Sequence, residues 1–257
     1  MKRITIVIVA LIMIGCESKN NIKTITSEEV TVEQFSPPFL HESWINKTYL
    51  DKLKETKSTQ IAQEYSNMCC FYIDFKKNPI NCGAIWNFHE GGGDWTLSQT
   101  DEKNGVLVPG DSYMDTMKII FNPDTTIRII SSEFNNIYVR YGEGTNYPDY
   151  SHLINEAIIS GKYLTPDSQI VEFLKNGSIY GIDSLNSYEL TIDYIIYLKT
   201  FDQISFKLNN GKEVTYGYII NNKTLEIFTL GCKEPNGDNH FCEEHIRDST
   251  VMVLTKQ

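Results

Sequence analysis

From residue 68 onward the chain repeats one pattern: a short run of alternating or continuous apolar residues, a turn signal, then another such run. A strand has a side-chain period of two, so runs this short bury one face and pair with their neighbours through tight hairpins. The first series occupies 68–75, 80–88, 94–98, 105–108, 117–122, 126–131 and 136–141. Its punctuation is Lys77-Asn78-Pro79, Gly91-Gly92-Gly93, Asn104-Gly105, Asn122-Pro123-Asp124 and Asn135-Asn136. Residues 142–151 read as a loop, and a second series follows at 160–164, 169–174, 178–182, 188–200, 203–208, 213–220, 224–230 and 251–255. Asn176-Gly177, Asn209-Asn210-Gly211 and Asn221-Asn222 tolerate the positive φ that hairpin turns require. Short, regularly spaced strands predict an all-β fold, a sandwich or barrel of antiparallel meanders. No strand–helix–strand alternation is present, which excludes Rossmann and TIM architectures.

Before the first series, residues 41–66 carry Leu50, Leu53 and Ile61 at helical spacing in a Lys/Glu/Gln-rich stretch. This predicts a short N-terminal helical segment, broken in two at Lys57-Ser58-Thr59. Of the 257 residues 41% are hydrophobic and 22% charged, enough apolar surface for a packed core. The formal charge of −10 excludes nucleic acid as a partner, because no basic excess exists to displace phosphate counterions.

The first sixteen residues state an address. Lys2 and Arg3 precede an apolar run, 4–14, that is too short to span a bilayer and has the shape of a signal-peptide core. The run ends in Met13-Ile14-Gly15-Cys16, which resembles the lipobox of bacterial lipoproteins, with Met13 where Leu is usual. The resemblance implies cleavage after residue 15 and lipidation of Cys16, and hence a membrane anchor. Removing residues 1–15 takes away Lys2, Arg3 and no acid, so the formal charge goes from −10 to −12. Glu17, rather than Asp, follows the cysteine, which points to the outer membrane of the cell envelope. Residues 16–38, polar and ending in Ser36-Pro37-Pro38, read as the lipidated cysteine and a flexible tether. The folded part then divides into an N-terminal β half with the short helix, 39–147, and a C-terminal β half, 148–257, which are either two barrels or one larger closed sheet.

Within 157–257, Gly161-Lys162-Tyr163, Val171-Glu172-Phe173-Leu174-Lys175-Asn176-Gly177 and Tyr216-Gly217-Tyr218-Ile219-Ile220-Asn221-Asn222-Lys223-Thr224-Leu225-Glu226-Ile227 stand in order. Together they resemble the Gly-x-aromatic opening, the first hairpin and the penultimate hairpin of lipocalin-like (calycin-type) barrels of bacterial lipoproteins. The first half echoes this more faintly. Trp44 stands where an opening tryptophan would, without its glycine, and 117–129 followed by Ile137-Tyr138-Val139-Arg140 mimics the closing hairpin with its terminal arginine.

Candidate chemistry concentrates in Cys232-Lys233-Glu234-Pro235-Asn236-Gly237-Asp238-Asn239-His240-Phe241-Cys242-Glu243-Glu244-His245. Cys232 and Cys242 bracket a turn-rich loop suited to a disulfide in an exported protein. Cys232, His240, Cys242 and His245 also hold the ligand types of a tetrahedral zinc site, although their spacing matches no finger or ribbon. Cys69, Cys70 and Cys82 remain; on a regular strand only one of the first two can face Cys82, so an unpaired buried thiol is expected. His89-Glu90-Gly91-Gly92-Gly93-Asp94-Trp95 lacks the Lys-Ser/Thr of a phosphate loop and reads as a hairpin tip at a barrel mouth, with Trp86, His89 and Trp95 as the ligand-facing candidates. Nucleophile elbow, His-Glu-x-x-His and Walker motifs are all absent.

The reading from sequence is therefore a membrane-anchored, non-catalytic lipoprotein that needs no cofactor. It would hold a small apolar or amphipathic ligand in a lipocalin-like barrel. Its alternative is a filled barrel that docks an envelope protein. A third reading is a hydrolase using His240 or His245.

Overall fold

Alternation along the chain becomes two eight-stranded antiparallel meanders in the computed structural model, which describes residues 41–86, 92–143, 150–194, 200–233, 242 and 244–257. The first meander runs β1 (His41–Asn46), β2 (Cys70–Asp74), β3 (Ile80–Ile85), β4 (Gly92–Gln99), β5 (Asn104–Pro109), β6 (Met117–Phe121), β7 (Ile127–Ile130) and β8 (Asn135–Glu143). Each strand pairs with the next, and β8 returns to β1 to close a barrel. The closing register sets Trp44 opposite Arg140 and Asn46 opposite Tyr138, with a bulge between Ser43 and Trp44. The opening tryptophan and terminal arginine suggested by the sequence are thus cross-strand neighbours.

Period-two patterning supplies the inside of this barrel. Phe71, Ile73, Leu97, Leu107, Met117, Ile119, Ile127, Ile129 and Tyr138 are all buried in one cluster with Trp44 and Trp95. Glu42, two residues before Trp44, is buried as well and forms an ion pair with Arg140. On β3 the backbone comes close to a neighbouring ring: a Cβ at Gly83 would run into the Tyr72 side chain.

The second meander comprises β9 (Gly161–Leu164), β10 (Ile170–Phe173), β11 (Ile179–Tyr180), β12 (Leu185–Leu190), β13 (Asp202–Leu208), β14 (Glu213–Asn221), β15 (Thr224–Cys232) and β16 (His245–Lys256). The sheet order is β11-β10-β9-β16-β15-β14-β13-β12, so its two free edges, β11 and β12, are consecutive in the chain. They meet at a single bridge, Ser178 to Ser187, which all but closes a second barrel. Gly177, at φ +84°, makes the turn that the Asn-Gly pair predicts. The halves are therefore two sheets and not one. Both are eight-stranded antiparallel meanders compatible with a lipocalin-like barrel.

Among the described residues three short helices lie where the halves meet. α1 (Lys47–Thr56) starts at Asn46, whose side chain accepts from the Thr48 N–H, and stops at Lys57 in the left-handed region. α2 (Thr59–Gln63) starts at Ser58, which caps the Ile61 N–H. The break between them falls at the predicted Lys57-Ser58-Thr59. Three expectations need correction. Residues 41–46, read with the helical stretch, are a strand buried on both faces, with Trp44 in the first barrel's cluster and Ile45 in the cluster that joins the halves. The strand expected over 188–200 ends at Leu190, and residues 191–194 are not strand. Residues 151–158 form α3 (Ser151–Ile158), whose Ile154, Ala157 and Ile158 face the core at helical spacing within a stretch too short to announce itself.

One hydrophobic cluster joins the halves. It combines Tyr49, Leu50 and Leu53 of α1 and Ile154 and Ile158 of α3 with the inner face of the second sheet, including Tyr163, Phe173, Tyr188, Phe206 and Tyr218. Polar contacts reinforce the junction. Lys57 Nζ donates to the Ala157 carbonyl at 2.5 Å, and Gln63 exchanges two 3.0 Å bonds with the backbone of Tyr194. The carboxylate of Asp202, on β13, accepts from the Gln60 N–H at 2.9 Å and the Thr59 hydroxyl at 3.0 Å.

Asp202 gives the junction a pH dependence. Burial raises its pKa, against the lowering effect of those hydrogen bonds. A raised acid binds more protons folded than unfolded, so stability falls as pH rises from about 3.9, the ordinary aspartate value, through the folded pKa. Asp202→Asn keeps an acceptor and removes the charge. Denaturant unfolding of both proteins across mildly acidic to neutral pH should show the variant gaining on the parent as pH rises; parallel curves would contradict this.

Candidate functional site

Whether an eight-stranded barrel holds a ligand depends on what its own side chains occupy. The first barrel is occupied. Trp95 is 1% exposed and donates its Nε1–H to the Asp115 carbonyl at 3.3 Å. Trp86 packs edge-on against Trp95 and Phe134, with centroids 5.7 and 6.2 Å apart. Trp95 is thus core, and half-buried Trp86 packs against it. His89, the third residue proposed there, lies outside the described residues.

The second barrel is filled in the same way. Tyr163, Phe173 and Tyr188 form a chain of T-shaped contacts at 5.5 and 5.2 Å. The hydroxyls of Tyr163 and Tyr188 donate to the carbonyls of Ile159 and Leu174, both at 2.7 Å. Burial pushes the Tyr188 phenol up to about 12, so both remain neutral donors around neutral pH. A cavity of about 320 Å³ does open at the seam beside α3, where Ile154, Asn155, Tyr188, Leu190 and Ile192 line it.

Exposed apolar residues of the second half also stand on a ribbon at its end. β14 stays with β15 only as far as Phe228, and β9 pairs with β16 only at Thr255 and Lys256. Beyond those points β15 and β16 continue together as a two-stranded overhang, paired as far as Cys232 opposite His245 with register shifts on either side of Phe228. A lone two-stranded ribbon is marginal in water, so it needs staples. Cys232 and Cys242 supply one as a disulfide, worth roughly 2–3 kcal/mol in the loop-entropy account. Arg247 supplies another: its guanidinium forms an ion pair with Glu226 and lies 5.1 Å from the centroid of the Phe228 ring. Thr229 and Ser249 share a 2.9 Å hydroxyl contact, and Lys233 reaches Glu244 at 3.1 Å.

Between residues 245 and 254 the outer edge of β16 has no strand partner among the described residues. Ile246 is exposed on it, as are Val251 and Val253 at 49% and 39%. An unpaired edge with exposed β-branched residues is a template for another strand. Sequence reading missed this feature, starting the last strand at 251. Residues 246–250 face solvent on both sides, so Ile246-Arg247-Asp248-Ser249-Thr250 shows no alternation.

Other residues singled out from sequence fall as follows. Cys232 and Cys242 are bonded to each other, so in this form neither is a thiolate available to zinc. His245 opens β16, while His240 lies outside the described residues. No group of three or more metal-ligating side chains occurs among those described. Cys16, the segment 1–15 and the tether 16–38 also lie outside them. Cys82 is buried inside the first barrel, where burial raises its thiol pKa, while Cys69 and Cys70 lie together in the core shared by the two halves.

Fold and ribbon together define a class: a tandem β-meander protein with filled interiors and a stapled, open-edged hairpin. No protein-family model matches the chain, and neither a curated protein nor a solved structure does.

Proposed function

We propose that this protein is a non-catalytic envelope lipoprotein, anchored through lipidated Cys16, whose lipocalin-like body docks a partner protein. The docking site is the open edge of β16, and the occupant is an extended segment of the partner that adds as a further strand. The observation that carries the reading is the overhanging ribbon, stapled by a disulfide, with apolar residues in solvent and no strand paired to its outer backbone edge among the described residues. Filled interiors support it, since large side chains occupy the space a barrel ligand would need. Main-chain hydrogen bonds would give such a contact its affinity, and Ile246, Val251 and Val253 its apolar complement. In this reading attachment rests on the acyl chains of Cys16; among the described residues no helix is long and apolar enough to cross a membrane.

The test places a photo-crosslinking residue at Val251 of the full chain in intact cells. A discrete adduct is expected there and none from the same probe at Tyr113, which is 82% exposed on the first half. The adduct should vanish with Val253→Lys, an exposed change expected to move stability by no more than about 0.5 kcal/mol. Cys16→Ser should release the protein from the membrane fraction. No adduct at Val251, together with a bound small-molecule mass lost on denaturation, would overturn the docking reading and direct attention to the seam cavity beside α3.

A further inference from the structure

We propose that Cys69 and Cys70, adjacent in sequence, form a disulfide with each other under oxidising conditions. Strict strand alternation would send them to opposite faces, but Cys69 precedes β2 and Met68 before it adopts φ +49°. That left-handed residue alters the entry to the strand. Both side chains lie in the cluster shared by α1, α3 and the second sheet, with Cys69 Sγ 3.3 Å from Cys70 Sγ. Cys82 is no competitor. It lies in the other cluster, inside the first barrel, with Ile73 and Trp95 as its cross-strand partners. The Cys232–Cys242 bond shows that this chain forms disulfides between its other thiols.

The reaction needs an oxidant of the disulfide class, such as oxidised glutathione. One cysteine thiolate attacks the oxidant and releases a reduced thiol. The neighbouring thiolate then displaces the second, so the Sγ–Sγ bond forms, two protons leave, and one oxidant disulfide becomes two thiols. Burial keeps the Cys70 thiol neutral in the folded protein, so exchange belongs to folding or to opening of the α2–β2 junction. Consecutive Cα atoms across a trans peptide lie about 3.8 Å apart, shorter than the roughly 4.4–6.8 Å usual for a disulfide. The ring is therefore strained, and strained disulfides are the readily reduced ones. We thus assign it as a reversible link at the junction of the two halves, unlike the structural staple on the ribbon.

The experiment refolds the reduced full chain in a mixture of oxidised and reduced glutathione, then alkylates and digests it with trypsin. Cys69 and Cys70 share the peptide 58–76, while Cys82 falls in 78–103. Peptide 58–76 should be unalkylated and two hydrogens lighter than its reduced form, with Cys82 alkylated. Cys70→Ser should abolish that deficit. Graded dithiothreitol should open Cys69–Cys70 before Cys232–Cys242. The ribbon disulfide is the internal control: molecules in which it has formed while Cys69 and Cys70 are both alkylated overturn the proposal. So does a crosslink from either cysteine to Cys82, or a 69–70 bond that outlasts the ribbon disulfide.

Discussion

Trp95→Ala should destabilise the protein by about 3–5 kcal/mol, the cost of a large aromatic deleted from a core that collapses only partly. Trp95 is buried opposite Cys82 on β3, packs edge-on against Trp86 and donates to the Asp115 carbonyl. Alanine leaves a cavity and a carbonyl without its donor. Denaturant unfolding should show the loss directly, and Trp95→Phe should recover part of it because the ring still fills space. A loss below about 1 kcal/mol would mean the site is solvated, contrary to the packing described. Reduced ligand uptake by Trp95→Ala would also report unfolding before it reported a binding contact.

Arg140→Met should cost about 3 kcal/mol. Glu42 is 0% exposed inside the first barrel, and its carboxylate is paired with the Arg140 guanidinium. Removing the cation leaves a buried negative charge, which is far costlier than removing both partners. A quarter of the arginine reaches solvent, so the lower end of the usual range for such changes applies. The double variant Glu42→Gln, Arg140→Met should recover much of the loss, giving a coupling energy of at least about 1 kcal/mol in the cycle. Additive losses would show that the pair is not a unit. Because the pair lies where β8 closes on β1, breaking it should expose that seam first in hydrogen exchange.

The sequence carried both sides of this site unevenly. Trp44 and Arg140 were legible as the opening and closing residues of a barrel, and closure placed them opposite one another. Glu42 was not, because an acid at a strand's start normally reads as solvated, and its burial follows from a strand buried on both faces. The Cys232–Cys242 disulfide was legible as a short turn-rich loop between two cysteines. What it staples was not, since an overhang exists only by comparison with where β14 and β9 end.

By itself the sequence determined the all-β class, the antiparallel order of the strands and the break between α1 and α2. Those properties rest on local physics: period-two alternation, Asn-Gly turns and capping side chains act within a few residues. Tertiary structure alone decided that the interiors are filled, that Cys69 and Cys70 turn to the same core, and that β16 outruns its neighbours. Packing volume, strand register and strand ends are relations between segments far apart in the chain, and no local pattern encodes them.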